Sequence, residues 1–254
     1  MDTHRFDLGF DPLSEKTTTP PGRRWLWGGL LYLLATAALV LFLSPVAHAH
    51  GVAEGDAGFL QSQAGIHFWP YFYLGAKHMV TGYDHLLFLA GVVFFLYRLY
   101  DVATYVTLFA IGHSLTLIAG VWFDIPANAY LIDAIIGLSV VYKAFDNLGG
   151  FEALNITINH KIAVWVFGLC HGFGLATKLQ ALELSADGLL ANLVAFNIGV
   201  EAGQLLALVL IVTLLNLWRT VPGFKGQAVV ANTVIMACGF TLFAYQITGY
   251  GMSA

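Results

Sequence analysis

Eight polar or ionisable side chains lie inside apolar stretches of this chain: Asp84, His85, His113, Asp133, His171, Asn197, Glu201 and Gln204. An ionisable group at membrane depth costs about 2.5–3.5 kcal/mol even on lenient insertion scales. It persists only where it lines a cavity, meets a partner or does work. Five separate stretches contribute to the set, so the chain must fold to give them a shared interior. The composition places that interior in a bilayer: 58% of the 254 residues are hydrophobic, 10% are charged, and the mean hydropathy is +0.75. Those values lie far from a soluble domain.

Apolar spans fall at 83–99, 102–122, 127–145, 161–180, 188–218 and 227–248. Each is near the ~20 residues that cross a bilayer. The expected architecture is therefore all-α, a polytopic bundle of about six spans forming a single membrane domain over residues 50–254. The stretch near 66–80 is aromatic and interrupted by Pro70 and Gly75, which suits a short interfacial or re-entrant helix.

Residues 1–22 are polar with no periodic apolar face and read as a tail. Arg23 and Arg24 then precede an apolar run over 25–43 and the Ala47-His48-Ala49 segment, a pattern that signal peptidase prefers. Cleavage after Ala49 would leave His50 as the mature N-terminus; the alternative is an uncleaved anchor helix. Arg98, Lys143, Lys161, Arg219 and Lys225 fall at alternate loops, opposite Asp124, Glu183 and Asp187. By the positive-inside rule the mature N-terminus faces outward.

The net charge of −4 comes with no basic patch, which excludes a nucleic-acid partner. Cys170 and Cys238 both sit in apolar runs, so neither a disulfide framework nor a paired-cysteine metal site is available. The histidines carry more information. In the first span His78 stands five residues before Asp84-His85. His78, Thr81, Gly82 and His85 share a helical face. On an unbroken helix the two histidines would be ~10 Å apart along the axis, too far to share one ion with bonds of ~2 Å. Either Gly82 breaks the helix, or the histidines serve successive stations. Asp84 could bind an ion or orient a histidine.

In the second span His113 and Thr116 share a face and Ser114 is turned aside; hydroxyls at such positions also serve as interhelical packing contacts. Asp133 reads as an entrance carboxylate or as a first-turn charge favoured by the helix dipole. His171 sits among Gly168, Gly172 and Gly174, which permit close approach of another backbone. Asn197, Glu201 and Gln204 fall at i, i+4 and i+7, a single polar stripe, with Gly199 and Gly203 nearly opposite.

Imidazoles, carboxylates and amides without a thiolate cluster suit borderline divalent ions such as nickel, cobalt, zinc or copper. Ligands spread over several helices suit passage better than permanent retention. The candidate metal contacts are His78, Asp84, His85, His113, His171 and Glu201. Asp133, Asn197, Gln204, Ser114 and Thr116 would support them, and His50 and His67 are candidates for external capture. The metal is then a substrate and not a resident cofactor. A different chemistry is open to the same residues: an intramembrane zinc hydrolase with His85, His113 and His171 on the metal and Asp84 or Glu201 activating water. Against it, no two histidines stand at the i, i+4 spacing of the zincin helix.

The chain resembles the HupE/UreJ family of bacterial nickel and cobalt permeases. The resemblance runs from about His67 to Leu208. It rests on His78-x5-Asp84-His85 followed by Leu86-Leu87-Phe88-Leu89, on His113-Ser114-Leu115-Thr116, on Phe167-Gly168-Leu169-Cys170-His171-Gly172 and on Phe196 to Gln204. It implies about six spans in a bacterial inner membrane, substrate contact by His78, Asp84, His85 and His171, and metal-delivery or metalloenzyme-maturation proteins as partners. Cys170 before His171, and Lys178 as the first downstream charge, depart from better-characterised members. The chain looks closer to the family's second branch.

Overall fold

Gly82 decides how the first apolar stretch folds. Its backbone is extended (φ −74°, ψ 99°), so the helix entering it stops and a new one starts at once. The computed structural model describes residues 64–182 and 185–253, and all its regular structure is helical. The polar tail, the apolar run over 25–43, the cleavage site with His50, and Glu183 lie outside the described residues.

The two helices flanking Gly82 are α1 (Phe68–Thr81) and α2 (Tyr83–Val93). They are followed by α3 (Leu99–Trp122), α4 (Ala129–Asn147), the single turn α5 (Gly150–Ala153), α6 (His160–Gln180), α7 (Leu189–Arg219) and α8 (Phe224–Ser253). The starts are written locally. Asn128 caps α4 by accepting from Leu131 N–H, and Asn159 caps α6 by accepting from the N–H groups of Lys161 and Ile162. Gly149 and Gly188, at φ 77° and 75°, supply the left-handed entry to α5 and α7.

The helices associate as three tight pairs, α1 with α7, α3 with α6 and α4 with α8. In each pair glycines let the backbones meet. A Cβ on Gly199 would strike the Phe72 carbonyl, one on Gly172 the His113 carbonyl, and one on Gly137 the Phe243 N–H. The stretch expected as an interfacial or re-entrant helix is thus α1, laid along α7 as a full member of the bundle. The first expected span, 83–99, is helical only to Val93. Arg219 closes that end: its guanidinium donates to the carbonyls of Val93 (2.9 Å) and Phe94 (2.6 Å) and stacks on the Tyr97 ring. This contact ties the end of α7 to the end of α2.

The bundle buries a set of polar groups within its apolar core and presents apolar groups outward as well. Asp84, His85, His113, Asp133, His171, Asn197 and Gln204 are buried, while Ile111, Leu115, Leu205, Leu206, Val209 and Leu210 are exposed. That arrangement suits a hydrocarbon surround. The helices α3, α6, α7 and α8 are long and apolar enough to cross a membrane. With 19 residues, α4 has the length but carries Asp133, Lys143 and Asp146. Asp133 is neither a bare entrance carboxylate nor a simple dipole charge. Its Oδ2 accepts from Lys178 Nζ at 2.8 Å, a pair linking α4 to α6. Lys178, the first charge after His171, is therefore neutralised where it stands.

Candidate metal centre

The break at Gly82 folds the two halves of the first stretch toward each other and brings the rings of His78 and His85 to 5.2 Å. One choice left open by the spacing is thereby decided: the histidines border a common centre. Gly82 itself faces it. A Cβ there would lie 3.1 Å from His85 Nδ1 and 3.4 Å from Asp84 Oδ1.

The core of the centre is Asp84, His85 and His171, all buried, each with a ligand atom within 4.8 Å of the others. Asp84 Oδ2 lies 3.1 Å from His85 Nδ1 and 3.9 Å from His171 Nδ1. Donor atoms sharing one ion at bonds of ~2 Å stand roughly 3–4 Å apart, so small ring rotations would complete such a site. His85 is the hub. Its ring is 4.8 Å from that of His171 and 5.6 Å from that of His113. Phe109 packs on the rings of His85, His113 and His171, and Phe88 packs on His171 and Phe109, making one wall apolar.

Ser139, which sequence reasoning missed, sets the state of His171. Its single hydroxyl hydrogen is donated to the Ile136 carbonyl at 2.6 Å. At 3.1 Å from His171 Nε2 its oxygen can then only accept, so Nε2 carries the proton and Nδ1 presents its lone pair toward Asp84. One serine in an apolar span gives no signal of this in sequence; only the packing of α4 on α6 does. Ser139→Ala should weaken metal binding about 10–100-fold, and Ser139→Thr should restore part of it. Calorimetric titration of the detergent-purified variants would check this; unchanged affinity in Ser139→Ala would show that the hydroxyl orients nothing.

The other expected residues divide clearly. Asn197 and Gln204 are buried in the bundle, with amide groups that donate to the Leu193 and Val106 carbonyls. Glu201 is not brought to the centre. It is exposed among Val194, Ile198 and Leu205, because the roughly 100° step per residue carries it past the buried arc that holds Asn197 and Gln204. The predicted single stripe is thus two buried amides with a carboxylate at the outer edge. Thr116 acts as packing: its hydroxyl donates to the Leu169 carbonyl of α6 at 2.7 Å. Ser114 is only partly buried. His67, just before α1, lies eleven residues, about 16 Å of helix, from His78. Its backbone N–H donates to Asn192 Oδ1.

An all-helical membrane protein, apolar outside, with a buried histidine–aspartate centre assembled from a broken helix and its neighbours: fold and site define that class. The profile described as HupE / UreJ protein matches residues 54–254, and the chain belongs to that family. No curated protein and no solved structure matches it.

Proposed function

We propose that the protein is a permease for a divalent transition-metal ion, nickel or cobalt foremost, with Asp84, His85 and His171 holding the ion in transit and His78 flanking them. The observation that carries this reading is the convergence of two imidazoles and one carboxylate, all buried, inside a bundle whose outer surface is apolar. Membership of the family supports metal transport as the use of that centre. Imidazole and carboxylate without thiolate favour divalent nickel, cobalt, zinc or copper(II) over the softer copper(I).

In this reading α1 and α2 together form one broken crossing, and with α3, α4, α6, α7 and α8 the crossings number six. A helix interrupted beside an ion site is a recurring device of transporters, because the break places ligands from two helix ends at one depth. The end carrying Arg98, Lys143, Lys161 and Arg219 faces the cytoplasm of a bacterial cell and the start of α1 faces outward. His67, and His50 if the leader is removed, would offer ions to the outer mouth. Delivery or maturation proteins would receive them inside.

The test is reconstitution in sealed liposomes, following entry of nickel, cobalt, copper and zinc in parallel, with His85→Ala as control. Saturable entry that depends on His85 is the expected result and identifies the ion. Retention of stoichiometric zinc with no entry would overturn the carrier reading in favour of the hydrolase built on His85, His113 and His171.

A further inference from the structure

Three buried side chains near the centre have polar atoms with no hydrogen-bond partner among the described residues: both ring nitrogens of His113, Asn197 Oδ1 and Gln204 Oε1. His113 and Gln204 are each 1% exposed and Asn197 5%. Such a group left unsatisfied costs about 1–3 kcal/mol, so a row of them needs an explanation. Both amide nitrogens are already engaged, Asn197 Nδ2 by the Leu193 carbonyl at 3.0 Å and Gln204 Nε2 by the Val106 carbonyl at 3.3 Å. The oxygens are what these side chains present.

Their depths can be worked out from the register. The Gln204–Val106 bond fixes α7 against α3. The two helices run in opposite directions, since Arg219 at the end of α7 reaches the end of α2, next to where α3 begins. Two turns along α3 from Val106 is His113, and two turns back along α7 from Gln204 is Asn197. Each step is about 10 Å in the same direction. His113 and Asn197 therefore share a depth. It is the depth of the centre: the His113 ring is 5.6 Å from that of His85, and Phe196, next to Asn197, has its ring 6.3 Å from that of His78. Gln204 lies two turns deeper, toward the Arg219 end.

We propose that His113 and the Asn197 carbonyl oxygen form a second, neutral cation station beside the Asp84–His85–His171 centre, with His85 serving both, and that Gln204 continues this line toward the Arg219 end. The proposal rests on the permease reading and adds a means of release. A carrier must bind well enough to strip water from the ion yet weakly enough to let it go. The carboxylate of Asp84 makes the first station the tighter one. An imidazole and an amide oxygen, without a charge, hold the same ion more loosely, so transfer across His85 moves it toward exit.

The test uses the full-length protein with Co²⁺ and Ni²⁺ as probes. His113→Ala should leave equilibrium binding at the Asp84 centre within about threefold of wild type and slow liposome uptake at least about tenfold. Asn197→Asp, nearly isosteric, should convert the loose station into a tight one. The tightly held metal then rises from a single ion to a pair per chain, and uptake slows. Wild-type uptake by His113→Ala, or a single tightly held ion in Asn197→Asp, overturns the second station and leaves the permease reading intact. Absence of uptake by the wild-type protein itself removes the permease reading, and this proposal with it.

Discussion

Replacing Asp84 with Asn should abolish tight metal binding while leaving the metal-free protein at least as stable as wild type. Among the described residues Asp84 is the only carboxylate in the centre, and it is 1% exposed, with its Oδ2 next to both His85 and His171. An Asn keeps the shape and removes the charge. In a low-dielectric interior that charge offsets much of the ion's own desolvation, so its loss should weaken affinity at least about a hundredfold, or roughly 2.7 kcal/mol. Without metal the sign reverses, because a neutral amide costs less to bury than a carboxylate. The measurement is a pair of thermal melts with and without Ni²⁺ or Co²⁺. Wild type should gain about 2.7 kcal/mol when the free ion stands at a hundred times its Kd, and Asp84→Asn should gain no more than about 0.4 kcal/mol at the same concentration. A full metal-induced shift in Asp84→Asn would remove Asp84 from the site.

The second large effect should come from Gly172. A Cβ there would strike the His113 carbonyl and the Thr116 hydroxyl, which itself bonds across the same helix pair to Leu169. Neither backbone can yield cheaply, so α3 and α6 must part. Overpacking of this kind costs about 1–3 kcal/mol. The cost should extend beyond stability. His113 belongs to α3 and His171 to α6, so separating the helices also separates the rings that meet His85. Gly172→Ala should therefore lower the melting temperature and metal affinity together. Gly226→Ala, at a helical position with open space around it, should be neutral or stabilising by about 0.4–1 kcal/mol. Equal melting temperatures for these two variants would show that the α3–α6 contact tolerates a methyl group.

The exposed Glu201 shows where periodicity loses resolution. Residues at i, i+4 and i+7 spread over about 60° of a helix, enough for the buried arc to hold Asn197 and Gln204 and leave out the residue between. The eleven residues of α2 show a related limit. The apolar run continues from Leu86 to Tyr97 without a break, whereas the helix stops at Val93, where Arg219 from a distant part of the chain takes up the free carbonyls.

Class, helix positions and donor chemistry were determined locally. Apolar runs of bilayer length and the cost of burying His, Asp and Asn in them are properties of consecutive residues, so the chain alone implied a helical membrane bundle with a polar interior. Convergence was decided by the tertiary structure. Whether His78 and His85 meet depends on the dihedral angles at Gly82. Which nitrogen His171 presents depends on Ser139, 32 residues earlier in the chain and on another helix. Whether Asp133 is a free carboxylate depends on Lys178, 45 residues later. Each of these is decided by how separate helices meet, and no local pattern records which helix will be the neighbour.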